Sequence, residues 1–200
     1  MEAADTEKGN YSKVELAMSA GSANVYALFF ILPIMLVYMV AYLLAWPEQF
    51  SAGNLRVLAT TYKTWLMLSP FIMLGVFIVG AVVHEMLHGF TWAVFCKRGL
   101  KSIKYGVYWA MLTPYCHCRE VLPLRPYILG GIMPGLVMGL LPAIVGLAWG
   151  NILVYLFGLF FSIAAGGDLL VLWMLRHQKK EDLVQDHPDK IGCYVLVKNK

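Results

Sequence analysis

Two imidazoles and a carboxylate stand close together near the end of one apolar run, FIVGAVVHEMLHGFTWAVF, residues 77–95. His84 and His88 are four apart, so a helix places them on one face, one turn above the other. At that spacing both rings reach a single zinc ion. Glu85 follows the first ring, where a carboxylate serves as the base that takes a proton from the water the metal activates. Zinc lowers the pKa of bound water from about 15.7 to about 7, which makes hydroxide available at neutral pH. The spacing therefore predicts one zinc per chain, with His84 and His88 as ligands and Glu85 as general base.

A catalytic zinc needs a third protein ligand and one open position. Asp168, in IAAGGDLLVL, is the only other acid inside an apolar run. It is the expected third ligand. The small residues Ala164, Ala165, Gly166 and Gly167 before it are expected to let the run that carries the histidines approach closely, and the two glycines weaken the helix there. His117, in PYCHCRE, is a separate case. It could orient substrate, stabilise an oxyanion, join Cys116 or Cys118 as an extra metal ligand, or simply be hydrogen-bonded. Strand alternation would point Cys116 and Cys118 away from it, which argues against a joint cluster.

The elements that must position these groups are apolar helices. Of 200 residues, 60% are hydrophobic and 14% charged, against about 25% charged in an ordinary soluble fold. Four runs, at about 25–46, 65–95, 127–149 and 152–175, each reach the roughly 20 residues that cross a hydrocarbon core. The second exceeds that length and must tilt or project. The first follows a mixed-charge segment and is longer than a signal-peptide core, so it is expected to stay as an anchor. The fold class expected is an all-α integral membrane protein of four transmembrane helices, with a small membrane-associated β element between helices two and three. The expected organisation is an N-terminal segment at 1–24, a membrane domain at 25–176 and a tail at 177–200.

Four spans leave both termini and the segment between spans two and three on one side. That side carries fourteen of the sixteen Lys and Arg residues, leaving only Arg56 and Lys63 opposite. Positive residues collect in the cytoplasm, so both termini are expected there, in a multi-pass protein of the cytoplasmic (inner) membrane. The net charge of +4 then reflects topology, and no basic stripe interleaved with aromatics asks for nucleic acid. All four cysteines fall at or near the reducing side, so no disulfide framework is expected. With this orientation Asp168 lies roughly 11 Å from the cytoplasmic end of its span. His84 and His88 lie roughly 11 to 17 Å from the end of theirs, at 1.5 Å per helical residue. The ligands match in depth.

Outside the spans, SIKYGVYWAMLTPYC alternates apolar Ile103, Tyr105, Val107, Trp109 and Met111, a strand pattern rather than a helical one. It reads as an aromatic-anchored interfacial hairpin, or as a strand edge beside the site. The tail has a turn signal at His187-Pro188-Asp189 and a short strand in IGCYVLV. In the third run Gly131, Gly135 and Gly139 share a helix face that permits close helix packing. Pro134 and Pro142 are expected to bend that run, so that the freed carbonyls need partners inside the protein.

Taken together, HEMLHG, YCHCRE, GGDLL and VQDHPDKIG resemble a family of bacterial membrane proteins described as zincin-type peptidases, from about the second span to the carboxyl end. The active-site plan is similar to that of the site-2 proteases, intramembrane zinc metalloproteases with the His-Glu-x-x-His pair on one span and an Asp on a later one. The resemblance implies His84, His88 and Asp168 as ligands, Glu85 as base, and hydrolysis of a membrane-protein or peptide substrate within or next to the lipid bilayer. Two features depart from the site-2 pattern: Gly166 and Gly167 precede Asp168 instead of following it, and the intervening span has Pro134 without the usual Asn-Pro. The enzyme class expected is a zinc metalloendopeptidase. The alternatives are a zinc transporter or other metal-binding membrane protein, against which stands the single polar cluster, and a catalytically inactive scaffold homologue.

Overall fold

The computed structural model describes residues 11–109, 113–188 and 190–199. Met111 of the expected strand, Asp189 of the expected turn, and the terminal Lys8 and Lys200 lie outside the described residues. Strand β1 (Tyr11–Met18) leads into helix α1 (Ala20–Ala45), capped by the Ser19 side chain. A 3-10 turn and the short helix α2 (Ala52–Thr61) follow, then the long helix α3 (Lys63–Ala93). A hairpin of β2 (Ile103–Tyr108) and β3 (Thr113–Cys118) precedes β4 (Leu122–Pro123) and α4 (Leu124–Pro134). A π-helical stretch, Gly135–Leu140, joins α4 to α5 (Leu141–Trp149). The chain turns back at Gly150, whose φ of 65° is left-handed, a conformation open to glycine without a Cβ penalty. The last helices are α6 (Ile152–Ala164) and α7 (Gly166–Met174), followed by β5 (Leu183–Asp186) and β6 (Ile191–Lys198).

Among the described residues, three helical stretches are long and apolar enough to cross a membrane: Gly21–Ala45, Lys63–Ala93 and Leu124–Trp149. The fourth expected helix is two, because Ile152–Ala164 and Gly166–His177 meet at a 42° bend. The bend falls where Gly166 and Gly167 weaken the helix, each by about 1 kcal/mol against alanine. The third run deviates where expected: Pro134 lacks an N–H, the ring of Pro142 would clash with the carbonyl four residues earlier, and the helix between them widens to π.

The expectation of an all-α protein with one small β element needs correction. Beside the β2–β3 hairpin there is a four-stranded antiparallel sheet in the order β1-β6-β5-β4. Its members come from the segment before the first helix, the residues before α4, and the tail. Tyr11 pairs with Lys198 and Met18 with Ile191, so the strand entering α1 and the strand after α7 lie together at one end of the helices. The reason is burial. Val184, Cys193 and Val195 are fully buried and join Trp92, Ile103, Cys118, Leu122, Tyr127 and Leu175 in one cluster. The sheet is the lid on that cluster.

The glycine stripe packs as expected. A Cβ on Gly131 would meet Leu172, one on Gly135 would meet Ala165, and one on Gly139 would meet Ser162. The small residues near Asp168 serve a different neighbour from the one expected: Gly166 faces Ile31 of α1, and Gly167 has open space. The approach to α3 is made instead by Phe161, whose ring occupies the space beside Gly80.

Candidate metal centre

Helix α3 carries the first three residues of the site. His84 and His88 are buried on one face, with ring centroids 5.0 Å apart. Asp168 comes from the first turn of α7. There the unsatisfied N–H groups and the helix dipole favour a carboxylate, so the break after Ala164 puts the acid where its charge is best tolerated. Nε2 of His84 lies 3.0 Å from Oδ2 of Asp168, and Nε2 of His88 lies 3.3 Å from Oδ1. One ligand atom from each of the three residues falls within 4.8 Å of the others.

Zinc fits these donors. Two ligand atoms bound tetrahedrally at about 2.0–2.1 Å sit about 3.3 Å apart, close to the 3.0 and 3.3 Å found here. His88 is also held in the right tautomer. Its Nδ1 lies 2.8 Å from the Gly130 carbonyl, an acceptor only, so the proton sits on Nδ1 and the Nε2 lone pair faces Asp168. His84 lacks such a partner: its Nδ1 is the one buried side-chain nitrogen or oxygen among the described residues without a hydrogen bond. An unpaired buried group costs about 1–3 kcal/mol, and uncompensated groups of this kind persist where a function requires them.

Glu85 projects beside the metal face and meets the hairpin. The backbone amide of Cys116 lies near its carboxylate. Along the same edge of β3 the amide of Cys118 donates to Asp186 at 2.7 Å. Tyr105 pairs with Cys116, so the two side chains share a face of the hairpin. The hydroxyl of Tyr105 rests on Gly89, where a Cβ would lie 2.0 Å from it.

His117 is not brought to the histidine pair. Its Nδ1 stands 3.8 Å from Asp186. Burial pushes the Cys116 and Cys118 thiols well above their usual range, and Cys118 faces Cys96 with the sulfurs 3.5 Å apart.

Three supporting residues escaped the sequence reading. Trp92 stacks on His88 at 5.3 Å and on Tyr127 at 5.4 Å, nearly parallel to both. Its indole N–H donates to the Tyr127 carbonyl. Tyr127 in turn donates its hydroxyl to Asp186. The signal for Trp92 was present, since 84, 88 and 92 continue one i+4 line. Asp186 had only its place in VQDHPDKIG, a stretch that carried the resemblance without giving this acid a role. Its burial raises its pKa above the usual carboxylate range, against the Tyr127 and Cys118 hydrogen bonds that pull it down.

A family model described as "Putative zincin peptidase" matches residues 77–183, more than half of the chain. That stretch contains His84, Glu85, His88, His117 and Asp168. No curated protein and no solved structure gave a match.

Proposed function

Because the chain belongs to that family of zincin peptidases, we propose that it is a zinc metallopeptidase that hydrolyses peptide bonds within or next to a membrane. The observation that carries this reading is the convergence of His84, His88 and Asp168 with Glu85 one residue along from the first ligand. Zinc held by those three would supply Lewis-acid polarisation of a carbonyl and acidification of water. The remaining work falls to the protein. Glu85, beside Cys116 of the hairpin, takes the proton of the attacking water and returns it to the leaving amine. His88 keeps its orientation through Gly130 and Trp92.

The lipid setting is part of the proposal. The faces of α1 and α3 are lined by exposed Phe29, Leu44, Phe71 and Val79, each at least 65% exposed. A contiguous apolar surface of that kind asks for lipid or a partner. A substrate segment in extended form would pair along β2, at Tyr105 and Val107. That edge lies opposite the one joined to β3, and the outward amide of β3 at Cys118 is already engaged by Asp186.

Metal removal tests the reading. Purified protein in detergent should cleave a quenched fluorogenic apolar peptide, lose that activity with a zinc chelator, and regain it with one equivalent of zinc. Cleavage that survives complete removal of the metal would show that another protein or another mechanism does the work.

A further inference from the structure

We infer that Tyr105 is a further catalytic residue, its hydroxyl donating a hydrogen bond to the scissile carbonyl oxygen as that oxygen gains negative charge. The inference rests on the peptidase reading above.

Its geometry comes from one rung of the hairpin. Tyr105 and Cys116 are paired across β2 and β3. Glu85 lies beside Cys116, and the Tyr105 hydroxyl rests on Gly89. Residues 85 and 89 lie one turn apart on α3, along the ridge next to the 84/88 metal face. The same rung therefore brings the base and a phenolic O–H to one flank of the metal site. Gly89 has a defined role in this: a Cβ there would lie 2.0 Å from the hydroxyl oxygen and 2.6 Å from the ring carbon bearing it. Any side chain at 89 would push Tyr105 off the helix.

The hydroxyl is available. It makes no hydrogen bond among the described residues, and the residue is 42% exposed, open to an incoming substrate. Burial raises its pKa above the usual phenol range, with nearby Cys116 and Glu85 adding to the shift, so it remains a protonated donor. The other polar candidate in this region, His117, sits beside Asp186 and alternates to the opposite face of β3 from Cys116.

In the reaction the water oxygen bonds to the carbonyl carbon while the C=O π pair moves onto oxygen. Glu85 accepts the water proton, the C–N bond breaks, and that proton passes to the departing nitrogen. Tyr105 keeps its own proton throughout and stabilises the oxygen by hydrogen bonding. Loss of one such donor typically costs about 10²-fold or more in kcat.

The test compares wild type, Tyr105→Phe and Glu85→Gln. It measures zinc content, melting temperature, kcat and KM on a quenched apolar peptide, and calorimetric affinity for a phosphinic peptide that mimics the tetrahedral state. Tyr105→Phe should keep its zinc and melting temperature, keep KM, lose about 10²-fold in kcat, and bind the phosphinic peptide correspondingly more weakly. Unchanged kcat and phosphinic affinity, with wild type active and Glu85→Gln inactive, would overturn the role of Tyr105 and leave the peptidase reading standing. A rise in KM alone would also overturn it, because uniform substrate binding is not catalysis. If wild type itself shows no turnover, the peptidase reading falls and Tyr105 falls with it.

Discussion

His88 donates its Nδ1–H to the carbonyl oxygen of Gly130 at 2.8 Å, and the same glycine lies against the indole of Trp92. A Cβ at 130 would lie 2.1 Å from Nε1 of Trp92, so any side chain there must displace the ring that stacks on His88. Outer partners of ligating histidines typically carry 10- to 100-fold in metal affinity, as an order of magnitude. Gly130→Ala should weaken zinc binding by about that factor, measured by competition with a chromogenic chelator. Affinity equal to wild type would mean that α4 does not orient the ligand.

The ligand set makes its own prediction. Alanine at His84, His88 or Asp168 should each abolish stoichiometric zinc, about one ion per chain in the wild type. His117→Ala should leave the metal in place. Full zinc in Asp168→Ala together with loss in His117→Ala would show that the third ligand has been assigned to the wrong residue.

Glu120 ties the end of α3 to the hairpin. Its carboxylate accepts the Ser102 hydroxyl and the amides of Lys97 and Arg98. The Ser102 hydrogen bond holds its pKa below the usual range, partial burial opposes it, and the two amides add to the lowering. A lowered folded pKa gives stability that is present above the unfolded value, about 4.3 for Glu. That stability is lost as pH falls through the folded value. Glu120→Gln should therefore flatten the acid side of the melting-temperature curve below about pH 5. An unaltered acid slope would show that this carboxylate does not contribute.

Much of this site could be read from residue order. Spacing alone picked out His84, Glu85 and His88, and the isolation of Asp168 among apolar residues picked out the acid that the fold brings to the two histidines. Hydropathy located the long apolar helices to within about five residues, but not the short α2 or the break after Ala164. What stayed hidden depends on contacts distant in sequence. Residues 11–18 alternate as a strand, but nothing local says that they pair with 191–198. The tail looked like polar appendage because the burial of Val184 and Val195 appears only when the sheet closes over Trp92 and Tyr127. Asp186 is indistinguishable from a surface acid until Tyr127 and the Cys118 amide are seen to donate to it. The glycines before Asp168 were legible as a weak point, yet the partner they admit is α1, through Ile31.

Orientation is a separate claim. The concentration of fourteen of sixteen Lys and Arg residues on one side predicts that reporter fusions after Lys200 and within residues 97–125 report the cytoplasm, and one near Gly53 the outside. The pairing of β1 with β6 requires the strand before α1 and the tail to share a side. An external Lys200 would reverse the orientation of the whole protein.

In the proposed mechanism Glu85 acts as a base beside a metal held by other residues. Glu85→Gln keeps the size of the side chain and removes its basicity. Zinc content and folding should match wild type, while turnover of the apolar peptide falls by at least about 10²-fold, the usual scale of general-base help. The measurement is zinc stoichiometry and turnover on the same preparations of wild type and Glu85→Gln. Full zinc with turnover lost is the result predicted; full turnover, or loss of the zinc together with this carboxylate, would contradict it, the second outcome favouring a protein that coordinates passing metal.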